Sequence, residues 1–154
     1  MRMWLLLAFL SAATAAAVAI FGKLGLKGVD STLATALRSI IMAAFMVSAA
    51  LLLGKFKGFT WGTLDGKAWI YITLAGVAGA LSWLFYFWAI KIGNVSAVAA
   101  IDKLSIVFVV ILAALFLGES FTKFSAIGAA LITLGALLIA FDSKVVTFIK
   151  TLFS

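Results

Sequence analysis

Between Val95 and Gly118 the chain reads VSAVAAIDKLSIVFVVILAALFLG, an apolar run of 24 residues with Asp102 and Lys103 side by side inside it. A helix of that length crosses a hydrocarbon core about 30 Å thick, which takes roughly 20 residues at 1.5 Å each. The run therefore predicts a membrane span with two charges inside the bilayer. A charge near the centre of a span costs on the order of 3 kcal/mol on insertion scales, so each needs a partner, an aqueous cavity or a route to the headgroups.

Composition agrees with that class. The chain is 66% hydrophobic and 11% charged, whereas about a quarter of the residues of a soluble domain are charged. It has no Cys and no His, which removes a disulfide framework, a thiolate nucleophile, the common zinc ligands and the usual general base. No enzyme, cofactor or metal site is expected. The net charge of +7 is scattered among short connections rather than clustered, which reads as membrane flanking and not as nucleic-acid binding.

In chain order, Met3 to Gly22 is an uncharged run after Arg2. It exceeds the h-region of a secretory signal, about 7 to 15 residues, and is expected to be the first span rather than a leader. Ser11, Thr14, Ala15, Val18 and Gly22 give it one small, slightly polar face. A connection through Gly25 and Gly28 follows, with Asp30, Ser31 or Thr32 placed to cap the next helix. Leu33 to Gly54 is the second span, and Arg38 lies within it. That Arg either snorkels to the headgroups or is paired. The third span, Ala68 to Ile90, has no charge and ends in LSWLFYFWAI; Ile72, Gly76, Gly79, Trp83, Tyr86 and Ile90 share one face. Trp83 and Tyr86 form either an interfacial belt or the rim of a hollow left by the two glycines, whereas Trp88, like Trp4, Trp61 and Trp69, reads as belt.

The link Lys91 to Asn94 is short and leads into the fourth span, Val95 to Gly118; Phe124 to Phe141 is the fifth, with small residues at Ala126, Gly128, Ala129, Gly135 and Ala136 suited to close helix contact. The tail SKVVTFIKTLFS segregates Val145, Phe148, Ile149 and Leu152 from Lys144, Thr147, Lys150 and Thr151. It predicts a short amphipathic helix in the interface plane. The expected organisation is an all-α integral membrane protein, one five-span domain over residues 1–142 and an amphipathic tail over 143–154.

Five spans put the termini on opposite sides and allow depths to be compared. Arg38 lies about 8 Å and Asp102 about 10 Å below the same face of the membrane, with Trp83 and Tyr86 in that leaflet too. An Arg and an Asp at matching depth are each other's cheapest partner in an apolar medium, so a buried Arg38–Asp102 ion pair is expected. Lys103, about 100° around the helix from Asp102, is expected to snorkel or to line a cavity. The best place for a small amphipathic ligand is between spans one, three and four, among Ser11, Thr14, Gly76, Gly79, Trp83, Tyr86, Asp102 and Lys103. Outside the spans, Arg2, Lys55, Lys57, Lys67 and Lys123 flank one side and Lys23, Lys27, Lys91, Lys144 and Lys150 the other. An even balance carries no strong orientation signal and permits insertion both ways, unless a marginal bias or the N-terminus decides.

FYFWAIKIGNVSAVAAIDKLSIVFVVILAALFLGE followed by KFSAIGAALITLGALLIA resembles the second part of an EamA-type domain of the drug/metabolite transporter superfamily. Its marks are an aromatic third helix, a short turn, a fourth helix ending in Leu117, Gly118 and Glu119, and a Gly-rich fifth helix. Lys23 after the first span and Arg38 in an Ala-Leu-Arg context fit as well, so the likeness runs from about Met3 to Asp142. Members often carry a proline in the fourth span and this chain has none, so a kinked-helix gate is not carried over. Most members hold two inverted domains; this chain resembles the half-size bacterial and archaeal branch.

The resemblance implies a secondary transporter of small organic metabolites, such as amino-acid-like solutes, in the inner (plasma) membrane. Alternating access would use an antiparallel homodimer with dual topology, two copies reproducing the inverted repeat. A different class, a scaffold or accessory subunit of another transporter or lipid flippase, keeps the charges for helix register alone. A proton-coupled exporter of the small multidrug resistance type fits less well, since the first span has no acidic residue.

Overall fold

A computed structural model describes residues 3–142 apart from Trp61 and Thr63. The amphipathic tail expected over 143–154, the flanking Arg2 and the belt residue Trp61 lie outside the described residues. Within them the chain forms α1 (Met3–Gly25), α2 (Ser31–Leu52), α3 (Gly66–Ile92), α4 (Val95–Asp102), α5 (Ser105–Phe116) and α6 (Lys123–Ala140). Five segments are long and apolar enough to cross a membrane, with α4 and α5 together making one, Val95–Phe116.

The boundaries follow local chemistry. Asp30 caps α2, its carboxylate accepting from the backbone N–H of Thr32 at 2.9 Å and of Leu33 at 3.0 Å. This satisfies donors that the first helical turn leaves open. Thr122 does the same for Ser125 at the start of α6, at 3.1 Å. At the end of α5 the chain turns through Gly118 at φ +67°, a left-handed conformation cheap only without a Cβ. The amides of Leu117 and Glu119 both reach back to the carbonyl of Ala113, at 2.9 and 3.2 Å. The Leu-Gly-Glu signature is, locally, a helix stop.

The described residues divide into two compact units, one made of those up to Ala19 with those from Ile92 on, the other Ile20–Lys91. In the first, α4 and α5 both pack on α6, and Ala136 of the small-residue face is buried. Part of that face is thus used inside its own unit. In the second, the last turns of α1 meet α3 where a Cβ built on Gly22 would stand 3.0 Å from Phe87 Cζ and 3.4 Å from Ile90 Cδ1. Gly22 makes room for the Phe87 ring, and Phe87 and Ile90 are buried there.

Two polar ties reinforce that contact. The Lys23 ammonium donates to the carbonyl of Ile90 and, at 3.3 Å, to that of Lys91, meeting the open acceptors at the end of α3 where a cation is favoured. The Trp88 indole N–H donates to the Thr32 hydroxyl at 3.1 Å, tying an exposed ring to the start of α2. Elsewhere the spans present large exposed apolar side chains, Phe9, Ile41, Phe108 and Leu131 among them. Such surface is stable against lipid or another apolar helix and not against water.

Candidate functional site

Arg38 projects from α2 onto the aromatic end of α3. Its guanidinium carbon lies 3.8 Å from the centroid of Trp83 and 5.2 Å from that of Phe87. Trp83 in turn meets Tyr86 edge to face at 5.7 Å and Phe87 at 5.9 Å. Trp83 and Phe87 are four residues apart and Tyr86 three from Trp83, the spacing that puts side chains on one helical face. A ring face attracts a cation through its quadrupole, worth about 2 kcal/mol when the pair is desolvated. It supplies no lone pair for the N–H groups. Arg38 Nη1 is buried with no hydrogen-bond partner, and within its own unit no carboxylate lies within ion-pair distance of the guanidinium.

Along the same face of α3, one and two turns before Trp83, a Cβ built on Gly79 or on Gly76 would meet nothing within 4 Å. Both glycines face open space, an uncovered stretch of helix. Beside it, α2 and α3 enclose a separate groove of about 330 Å³ lined by Thr35, Ser39, Val77 and Leu81 among others. Its hydroxyls are turned inward on their own helix, Thr35 donating to Ser31 O at 2.7 Å and Ser39 to Thr35 O at 2.8 Å. That groove offers an apolar wall and few free donors.

The second charged feature is the interruption of the fourth span. Lys103 (φ −68°, ψ −11°) and Leu104 (φ −61°, ψ −19°) stay right-handed but tighten. The amides of Lys103 and Leu104 bond to Ala100 and Ile101, and those of Ile106 and Val107 to Lys103 and Leu104, at 2.9–3.1 Å. These are three-residue steps, the 3₁₀ pattern, which inside a longer helix often marks a hinge. At the break the Lys103 ammonium bonds the Asp102 carboxylate at 3.2 Å, the two side chains being 54% and 36% exposed. Lys103, expected to point away from its neighbour, is turned back onto it.

The residues expected to line one cavity are distributed between the two units. Ser11, Thr14, Asp102 and Lys103 belong to the first, Gly76, Gly79, Trp83 and Tyr86 with Arg38 to the second. Thr14 spends its hydroxyl on Leu10 O at 2.9 Å and Ser11 O at 3.0 Å. The expected Arg38–Asp102 pair would join residues of different units; each has another neighbour in its own, Trp83 for one and Lys103 for the other. Phe87 and the capping by Lys23 are not among the features expected from the sequence. Phe87 was legible as the four-residue partner of Trp83, and Lys23 as a cation on the membrane side where α3 ends.

A model of the EamA-like transporter family matches residues 2–141. The chain belongs to that family. It is also 39% identical over 137 residues to a protein of Sinorhizobium sp. named an uncharacterized transporter in the cobO 3′ region, covering 89% of this chain and 96% of that one. No solved structure matches the chain. With five apolar spans it fits a half-size EamA-like protein, a multi-pass membrane protein of a transporter family.

Proposed function

We propose that this EamA-like protein is a secondary transporter that moves small organic metabolites, amino-acid-like or otherwise amphipathic, by alternating access across the inner membrane of a bacterium or archaeon. The observation that carries this reading is Arg38, an intramembrane cation with a buried, unanswered N–H, set on an aromatic cluster beside an open stretch of α3. An uncompensated ionisable group in a span marks a solute pathway by default.

A homodimer is part of the same proposal. Five spans cannot hold their own inverted repeat, and the even Lys and Arg balance favours an antiparallel pair with α6 contributing to the contact. Purified protein in proteoliposomes should accumulate or release radiolabelled metabolites from a mixed amino-acid and organic-acid panel. No flux with any of them would favour an accessory subunit. Single cysteines at Lys57 and at Gly93 should each show mixed accessibility in cells; labelling of one site alone in every molecule would rule out the antiparallel dimer.

A further inference from the structure

We infer that Arg38 is the anion-recognition residue of this transporter and that its solutes are small organic carboxylates with a flat apolar body. The inference rests on the transporter reading and adds the substrate class. A guanidinium stays charged at any physiological pH and carries five N–H donors in a fork that matches a carboxylate. Trp83 and Phe87 stabilise the charge and accept none of those hydrogen bonds. Within its own unit Arg38 has no carboxylate at ion-pair distance, and its Nη1 has no hydrogen-bond acceptor.

Leaving such a group unanswered in an apolar medium is costly, so an oxyanion that arrives with two acceptor oxygens gains what the protein has not supplied. The surroundings select what is attached to that oxyanion. Tyr86 packs against Trp83 and presents ring surface, and the face of α3 beyond them is bare at Gly79 and Gly76. Ring faces and open backbone accept a planar apolar group better than a hydrated one. The oxyanion could equally be a lipid phosphate reached by snorkelling, and the test separates the two sources.

Binding of radiolabelled benzoate to the purified protein in phosphatidylcholine nanodiscs, measured by equilibrium dialysis, is the probe, with benzamide as the neutral isostere. Saturable benzoate binding that benzamide competes for poorly is expected. R38Q should weaken it about tenfold or more, the loss of a charge-assisted hydrogen-bonded pair. R38K, which keeps the charge and loses the fork, should weaken it by a smaller factor, and guards against the case in which R38Q does not fold. Equal binding of benzoate and benzamide, or undiminished benzoate binding in both variants, overturns the inference. So does benzoate binding abolished by adding phosphatidylglycerol to the disc, which assigns Arg38 to headgroups. Benzoate bound without any flux in proteoliposomes would retain the anion site and reject the transporter; flux unchanged in R38Q and R38K would do the reverse.

Discussion

Arg38 and the Asp102–Lys103 pair are all charges inside apolar spans, yet they are accommodated by opposite means. Arg38 is held by rings from α3, with Trp83 at 3.8 Å. Asp102 and Lys103 neutralise each other along one stretch of backbone, at 3.2 Å, where the helix is interrupted. The first solution depends on tertiary packing and leaves hydrogen-bonding capacity over; the second is local and leaves little. The inferred anion site draws on the first arrangement, whereas the second stands where the backbone tightens.

The contrast fails first at Trp83 if it is mistaken. Trp83→Ala should be the most destabilising change, about 3 kcal/mol by thermal unfolding in detergent, because it opens a cavity and removes the ring beneath a charge. In a double-mutant cycle with Arg38→Met the two effects should not add; additivity would mean that the ring and the guanidinium are energetically independent. At the other site Asp102→Asn should cost less, about 1 to 2 kcal/mol, since the partners are partly exposed and the stranded Lys103 can snorkel. Combining Asp102→Asn with Lys103→Gln should recover most of it. A cost at Asp102 exceeding that at Trp83 would mean that Asp102 depends on a partner beyond Lys103.

Glycines sharpen the difference between packed and open surface. Gly22→Ala places a methyl 3.0 Å from Phe87 and should lose about 1 kcal/mol. Gly76→Ala and Gly79→Ala meet no neighbour and should be neutral or stabilising by about 0.5 kcal/mol, as expected for alanine in a helix. If the bare face of α3 receives solute, those stabilised variants should nonetheless transport more slowly; unchanged flux in both would place the solute elsewhere.

The smallest effect concerns pH. The backbone N–H of Leu33, followed by that of Thr32, holds the Asp30 carboxyl below its usual value of 3.8. A depressed folded-state value means that the stabilisation is complete above the unfolded value and is lost as pH falls through the folded one. The acid limb of the stability profile below about pH 4 should therefore flatten in Asp30→Asn, which keeps the cap acceptor and cannot titrate. An unchanged limb would assign acid sensitivity to other carboxylates.

The spans were legible because the apolar runs are long and bounded by Gly, Asp and Lys, and residue type narrowed the α2 cap to Asp30, Ser31 or Thr32, of which Asp30 serves. What escaped was set by tertiary fit. The interruption at Lys103–Leu104 has no Pro or Gly to announce it, so the run read as one continuous helix. Trp83 and Tyr86 were found by period, whereas the placement of Arg38 on Trp83 depended on how α2 meets α3, which no pattern within either helix encodes. The likeness between Arg38 and Asp102 in depth says nothing about azimuth, and azimuth decides contact.

That tightening also carries a rotation. A 3₁₀ step turns about 120° against 100° for an α step, so two tightened residues advance the helix by roughly 40° more than a continuous α-helix would. Residues of α5 consequently face a different direction from the one that helical counting from α4 assigns them. A stripe drawn through Val95, Val98 and Asp102 and continued at the same pitch arrives beside, not on, the side chains that prolong it in space. Relaxing the two residues to α geometry would exchange those three-residue bonds for four-residue ones and turn α5 back by the same angle. The fourth span thus holds a built-in screw of fixed increment, positioned beside its two charges.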